Sequence, residues 1–320
     1  MILRAALFAV LAGSAASALE LEIPVDCDIG GGCYIQSYVD RDPGPGAADY
    51  TCNPMSYDGH KGVDFRVPTF SAMSAGIDVR AAAPGTVKGV RDGGPDNGKD
   101  GMAAGRDCGN GLVIDHGNGW ETQYCHLAKG SLAIKTGDKV QTGAHLGRMG
   151  FSGRTEFPHL HFSVRRDGIP IDPFDARPNS ESCALADDDT LWSDAARAEL
   201  VYKSGGAVDA GFAPDAPTLA DIRLGDAYDA PDGNAPIIAF WARFYGLQDG
   251  DIIRIVLHRP GGKVFAKKDV PMTRNRAEYF HFVGGRRPEQ GWPPGPYTGT
   301  ATLLRDGKAI DQINARISVN

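Results

Sequence analysis

Histidine and aspartate residues in three short motifs could bind a metal ion or transfer protons. In the first motif, His60 stands four residues before Asp64. Gly62 and Val63 are poor helix formers, so we predict extended chain here rather than a helix. In an unbroken strand the two side chains would start about 13 Å apart, whereas the ligands of one ion lie about 2.0–2.2 Å from it. A bend at Gly62 would bring them together; without a bend, they are ordinary surface residues.

The second motif, His159-Leu160-His161, places two histidines two residues apart. In a strand, such residues point to the same side with Cα atoms about 6.6 Å apart, and Leu160 points to the other side. One imidazole could bind a metal while its neighbour stands beside the metal's open position; the alternative is a polar face with two solvated histidines. The third motif is His126, which ends a predicted hairpin strand, where a single histidine is more often structural than catalytic.

Together the three motifs match the composition of a catalytic zinc site. One carboxylate and two histidines are a set of three protein ligands that leaves a fourth position open for water. Two further histidines would then be available to transfer protons at that water. The remaining histidines have no partner motif, and we do not expect them to bind metal: His116, His145, His258 and His281.

Short β-type runs separated by glycine turns must position these motifs. Between residues 57 and 174 they predict an all-β sandwich or open barrel. Residues 195–320 show the same pattern, and the segment Trp292–Tyr297 with the turn Arg305–Lys308 resembles the last two strands of an immunoglobulin-like β-sandwich. The predicted strands are 63–67, 77–82, 86–90, 112–116, 121–126, 139–149, 160–164, 237–244, 252–258, 263–269, 279–283, 295–304 and 309–319.

The remaining segments have a composition of their own. Residues 1–18 combine Arg4, the apolar run 5–12 and Ala16-Ser17-Ala18, which predicts a secretory signal peptide. The run is shorter than the roughly 20 residues needed to cross a bilayer, so we expect no transmembrane anchor. Residues 19–56 predict an irregular segment tied by disulfides, and residues 175–194 predict a linker, with a solvated loop as the alternative.

An exported chain with an even number of cysteines is expected to form disulfides. Cys108 and Cys125 flank a hairpin that turns at residues 117–119, so we predict that they pair. A pair between Cys33 and Cys52 is a weaker prediction, and no C-x-x-C motif indicates a cysteine metal site. The six cysteines are Cys27, Cys33, Cys52, Cys108, Cys125 and Cys183.

Composition excludes several classes of protein. The chain has 320 residues, of which 42% are hydrophobic and 23% charged, as in folded globular proteins. With 33 basic and 40 acidic residues its net charge is −7. A nucleic-acid partner held by phosphate neutralisation is therefore not expected, nor is general binding to anionic lipid.

The histidine motifs also occur in a set order with glycine-containing motifs. The series is His60-x-x-x-Asp64, 83–87, 109–116, 124–127, 137–140, 150–153, 158–162 and Asp172-Pro173. In this order and spacing, residues 57–174 resemble the lysostaphin/LytM-type zinc metallopeptidases, which cut peptide cross-links in bacterial peptidoglycan. The resemblance implies that His60, Asp64 and His161 bind zinc, and that His126 and His159 deprotonate the attacking water and stabilise the oxyanion.

The resemblance further implies a zinc-dependent endopeptidase acting on peptidoglycan peptide stems, either in the periplasm or as a secreted enzyme. Some relatives have lost ligands and only bind peptidoglycan or activate an amidase; the complete ligand set here favours an enzyme. The chain departs from the family pattern in an insertion at Asp92–Asp107, in Phe157 where glycine is common, and in His145 where glutamine is usual. No sequence feature names a partner for residues 195–320.

Overall fold

The computed structural model describes residues 19–100, 102–177 and 189–320. Within these ranges, seventeen strands and three short helices make the structure nearly all β, as predicted. Within the described ranges, no helix is both long enough and apolar enough to cross a bilayer. The predicted signal peptide, residues 178–188 of the predicted linker, and Cys183 lie outside the described residues.

One antiparallel sheet of eight strands dominates the first half of the chain. Its order is β1-β2-β9-β6-β5-β4-β7, with β10 paired to β9, and β3 and β8 form a separate two-stranded sheet. The strands and the helix of this half are β1 Tyr34–Ser37, β2 Val63–Arg66, α1 Phe70–Ala75, β3 Asp78–Arg80, β4 Gly85–Arg91, β5 Asn110–Gly117, β6 Trp120–Leu127, β7 Lys139–Val140, β8 His145–Arg148, β9 His159–Arg166 and β10 Ile169–Ile171.

Strand β9 lies between β2 and β6 and carries the predicted alternation of side chains. Leu160, Phe162 and Val164 are fully buried in the core of the sheet. Because neighbouring side chains in a strand point to opposite faces, His159 and His161 lie on the other face. Residues that are far apart in sequence meet here, since Asp64 of β2 pairs with His161 of β9.

The N-terminal segment is less irregular than the sequence predicts. Strand β1 extends the large sheet by pairing with β2. Further along, Leu191 and Trp192 of the predicted linker are buried in the hydrophobic core of the first half of the chain. Trp192 also forms an isolated bridge with Leu21. The ends of these two segments therefore belong to the packed first half of the chain.

Two disulfides are found among the described residues. Cys108 pairs with Cys125, as predicted, with a Cα–Cα distance of 4.8 Å. The predicted Cys33–Cys52 pair is wrong, because Cys33 bonds to Cys27 at a Cα–Cα distance of 6.0 Å. A tight turn brings that pair together: the amides of residues 31–33 all donate to the carbonyl of Asp28.

We expect the variant with both Cys108→Ser and Cys125→Ser to lose about 3 kcal/mol in the free energy of unfolding, because the bond closes a loop of intermediate length. The sequence separation is 17 residues here and 6 for Cys27–Cys33. The matched variant without the Cys27–Cys33 bond should therefore lose less, about 2 kcal/mol. Urea unfolding followed by circular dichroism measures both values, and the reverse order would contradict the prediction.

The second half of the chain contains two antiparallel sheets with a core of their own. The order is β11-β12-β15 in one sheet and β14-β13-β16-β17 in the other. Phe240, Ile255 and Leu303 are fully buried in this core. The immunoglobulin-like assignment stays a prediction. The elements are α2 Asp194–Glu199, β11 Gly206–Ala213, α3 Leu219–Leu224, β12 Ile237–Leu247, β13 Ile252–Arg259, β14 Lys263–Pro271, β15 Arg276–Arg286, β16 Gly295–Arg305 and β17 Lys308–Val319.

Candidate metal centre

Three ligand atoms from the first two motifs face one another. His60 Nε2 lies 3.1 Å from Asp64 Oδ1 and 3.1 Å from His161 Nδ1, and the last two atoms are 2.9 Å apart. Ligand atoms around a tetrahedral zinc ion are about 3.3–3.4 Å apart when each lies about 2.0–2.1 Å from the ion. Among the described residues, these three side chains are the one group of this kind that could hold a metal.

The bend that the first motif needs lies at Gly62. A Cβ atom there would lie 2.6 Å from the carbonyl oxygen of Phe162 and 2.7 Å from the His161 ring. Its backbone is not in the left-handed region, so glycine is required for space rather than for an unusual φ angle. The bend at Gly62 lets His60 reach Asp64, which a straight strand would not allow, and the missing side chain leaves room for β9.

Hydrogen bonds orient the ligand atoms. His60 donates its Nδ1–H to the carbonyl of Tyr38 at 2.7 Å, so the lone pair on Nε2 faces Asp64 and His161. His161 contacts Ser163 Oγ through Nε2 at 2.9 Å, so its Nδ1 atom faces His60 and Asp64. Partners on the outer nitrogen are the usual way in which a protein holds histidine ligands.

Asp64 is a buried carboxylate surrounded by imidazoles. Burial raises the pKa of Asp64, but the neighbouring histidines, His60 first and His159 next, lower it well below its usual value. Its Oδ1 atom lies 3.4 Å from His159 Nε2. The group is therefore ionised at neutral pH, which is the state that binds a cation.

His126 stands beside the three ligand residues at the end of β6. Its ring centroid is 4.6 Å from that of His159 and 6.0 Å from that of His161. It donates Nδ1–H to the carbonyl of Ser152 at 2.7 Å. Burial, followed by the charges of His159 and His161, lowers the pKa of His126 well below its usual value, so the ring is neutral with a lone pair on Nε2.

The backbone of His126 has a φ of 67°, in the left-handed region that few residues other than glycine adopt. Such strain persists where surrounding contacts hold it. Ser152 supplies them: its buried hydroxyl donates to the carbonyl of Leu127 at 2.7 Å and accepts from the amide of Asn110 at 2.9 Å. The amide of His126 donates to the carbonyl of Cys108 at 2.9 Å.

His159 is held in a similar way. It donates Nδ1–H to the carbonyl of Phe157 at 2.9 Å, and Thr155 Oγ1 lies 3.1 Å from the same nitrogen. Both His126 and His159 thus use Nδ1 for an internal carbonyl, which leaves Nε2 for chemistry. The structure therefore brings the five predicted site residues together.

Residues 58–173 match the sequence profile of Peptidase family M23. We refer to residues 58–173 as the M23-like segment. Over 116 residues the chain is 35% identical to the DD-carboxypeptidase/endopeptidase Mpg of Neisseria meningitidis serogroup B, which covers 36% of this chain and 22% of that protein. Over 68 residues it is 41% identical to the peptidoglycan DD-endopeptidase ShyA of Vibrio cholerae serotype O1, covering 21% of this chain and 15% of that protein.

Among solved structures, a zinc-containing peptidase from Vibrio cholerae is similar to this chain, with 28% identity and a TM-score of 0.34. The match covers 49% of this chain and 39% of that one. The chain thus spans less than half the length of each of these relatives.

Four of the five site residues line an open groove of about 1220 Å³: Asp64, His126, His159 and His161. Tyr57 stacks on His60 at 4.3 Å between ring centroids and is 54% exposed at the groove. Lys99 comes from the predicted insertion and pairs with Glu156 across the groove wall. The groove also contains these charged residues: Asp58, Lys61, Asp107, Arg154 and Arg165.

Sequence reasoning missed Ser163 and Thr155 as supports of the candidate metal centre. The alternation that selected His159 and His161 also selects Ser163, because residues two apart in a strand share a face. Nothing in the sequence marks Thr155. The other histidines lie outside the cluster: His116 bonds to Pro84 and Thr122, and His145 lies 3.3 Å from Asp78.

Proposed function

We propose that this chain is a zinc-dependent endopeptidase that hydrolyses peptide cross-links of bacterial peptidoglycan. The observation that carries the proposal is the convergence of one carboxylate and two imidazole nitrogens within 3.1 Å of one another, on a groove. The matched relatives named as peptidoglycan DD-endopeptidases support the same substrate class.

His60, Asp64 and His161 would hold the ion. A bound zinc ion supplies Lewis-acid chemistry, which polarises a carbonyl and makes water nucleophilic at neutral pH. One of the two rings, His126 or His159, accepts the proton of the attacking water at Nε2 and returns a proton to the leaving amine. In its protonated form either ring also stabilises the negative charge that develops on the carbonyl oxygen.

The groove suits an extended peptide with carboxylates. It is open to solvent and carries both lysine and arginine side chains, of which Lys61 stands next to His60. Stem peptides of peptidoglycan are short chains that contain D-amino acids and diaminopimelate and carry free carboxylates. We therefore assign the stems as the substrate, with Lys61 as a contact for their carboxylates.

We place the protein outside the cytoplasm, in the periplasm. The predicted signal peptide supports export, and the disulfides Cys27–Cys33 and Cys108–Cys125 fit an oxidising compartment. A secreted enzyme would share both features. Detection of the protein in a periplasmic extract rather than in culture medium distinguishes the two.

The test is digestion of purified sacculi by the zinc-loaded full chain, with mass spectrometry of the released fragments. We expect soluble muropeptides whose masses name the bond that is cut. Chelation should abolish release and added zinc should restore it, because the ligand set requires a metal. His145→Ala is the control, since His145 lies outside the groove and should keep full activity. Zinc-loaded protein that releases nothing would identify a non-catalytic peptidoglycan-binding or amidase-activating module.

A further inference from the structure

Arg66 is a buried cation next to the candidate site. It ends β2, pairs with His159 of β9 in the sheet register, and is only 1% exposed. Its guanidinium donates to Gln36 Oε1 at 2.8 Å and to Glu278 Oε1 at 2.9 Å. A buried arginine is costly unless it is paired, so these partners fix its position.

Both partners of Arg66 depend on the second half of the chain. Glu278 belongs to β15 of the C-terminal sandwich, and its side chain is buried. Gln36 in turn donates its own amide to the carbonyl of Ala277, the residue before Glu278, at 2.8 Å. The location of the Arg66 guanidinium is therefore set by one short stretch of β15.

Glu278 would keep cationic partners without Arg66. Arg243 lies 3.1 Å from its Oε1 atom, and Arg223 Nε donates to its Oε2 atom at 3.1 Å. Burial raises the pKa of Glu278, but the charge of Arg66 and those of the other arginines lower it overall. Replacing Arg66 therefore leaves no unpaired buried carboxylate in the interface.

On its other side, Arg66 covers an aromatic ring that contacts His159. The guanidinium carbon lies 4.2 Å from the ring centroid of Phe157, within the range of a cation–π interaction. The Phe157 ring centroid is 4.7 Å from that of His159. The carbonyl of Phe157 also accepts the Nδ1–H of His159. Phe157 thus constrains His159 through both its ring and its backbone.

The support depends on the ring of Phe157, because a residue without a ring there would give the guanidinium nothing to cover. A buried arginine on β2 and an aromatic residue before His159 therefore work as a pair.

We propose that the C-terminal sandwich positions His159 for proton transfer, through Glu278, Arg66 and Phe157. The inference rests on the proposed peptidase function, because it concerns the geometry of a group that acts in that reaction. Arg66 and Phe157 are positioning residues, because both act on the reaction through His159. Small displacements of a catalytic group are sufficient to slow a reaction.

The test compares Arg66→Gln, Phe157→Ala and their double variant in the zinc-loaded full chain, with a purified cross-linked muropeptide dimer as substrate. We expect kcat to fall about tenfold in each single variant, while zinc content stays near the wild-type value. In Arg66→Gln the KM should also stay near the wild-type value, because Arg66 does not line the groove. The double variant should be no slower than the slower single variant, because both changes break the same contact. Independent, multiplying losses would overturn the proposal.

Arg223→Gln is the matched control, since Arg223 contacts Glu278 but not Phe157. It should keep the wild-type kcat, whereas a loss equal to that of Arg66→Gln would show that any damage to the interface slows the enzyme. Arg66→Lys retains a cation near Glu278 and should recover part of the lost kcat. Should Arg66→Gln fail to fold, the half-buried Phe157→Ala tests the same contact.

A second measurement does not depend on activity. The imidazole resonances of His159, recorded by NMR, should shift in Arg66→Gln and in Phe157→Ala and stay in place in Arg223→Gln. Unchanged His159 resonances in the first two variants would overturn this proposal even if the enzyme is active. Zinc-loaded wild type that leaves the dimer intact would instead overturn the proposed function, and the resonances would still decide the positioning.

Discussion

The His161→Ala variant is expected to bind zinc at least about 100-fold more weakly than the wild type and to lose hydrolysis with it. His161 Nδ1 faces Asp64 Oδ1 at 2.9 Å and His60 Nε2 at 3.1 Å. Its removal would leave two protein ligands, which is too few for a catalytic zinc site. Metal analysis of the purified variant after dialysis, together with competition against a chelator, measures the loss.

Asp64→Ala removes the one carboxylate of the set and should behave like His161→Ala. His145→Ala removes a histidine from the other sheet and should keep its zinc, because His145 contacts Asp78 and none of the ligand residues. Near-stoichiometric zinc in His161→Ala would place the metal elsewhere and remove the basis of the proposed function.

The His159→Ala variant is expected to keep its zinc while hydrolysis falls by roughly 10²–10⁴-fold, the usual range for the loss of an acid–base group. His159 is held by the carbonyl of Phe157 and by Thr155, not by the trio of ligand atoms. Its Nε2 atom lies 3.4 Å from Asp64, beside the trio. Initial rates on sacculi, measured at matched zinc content, give the fall.

His126→Ala should resemble His159→Ala, since both rings donate Nδ1–H to a backbone carbonyl and keep Nε2 for proton transfer. The alanine variants of the two histidines in the H-x-H motif, by contrast, should differ: His161→Ala should lose its zinc and His159→Ala should keep it. If His159→Ala lost its zinc while His161→Ala retained it, the two roles would be exchanged and the assignment by family resemblance would be wrong.

Much of the site could be predicted because it rests on local periodicity. A strand alternates its side chains, so the H-x-H motif by itself placed His159 and His161 on one face and Leu160 in the core. A glycine turn between two β runs similarly predicted the hairpin that brings Cys108 to Cys125. These inferences needed only neighbouring residues, and the structure confirms them.

Predictions were wrong or incomplete where the deciding partner is distant or the local geometry is unusual. The Cys33–Cys52 pair failed because a turn around Asp28 brings Cys27 within reach first. Strand β1 was missed because its edge position comes from pairing with β2, not from a pattern of its own. His60 and Asp64 can bind one ion only if the chain bends at Gly62, and the sequence alone does not show whether it bends there.

By itself, the sequence determined the strand pattern, the order of the motifs and the residues able to bind a metal. Only the tertiary structure decided that β2, β6 and β9 lie side by side, which brings His60, Asp64 and His161 to one point. It also decided that Glu278 meets Arg66 across 212 residues of sequence. Such contacts depend on how whole sheets pack, and packing is a property of the complete core rather than of any short segment.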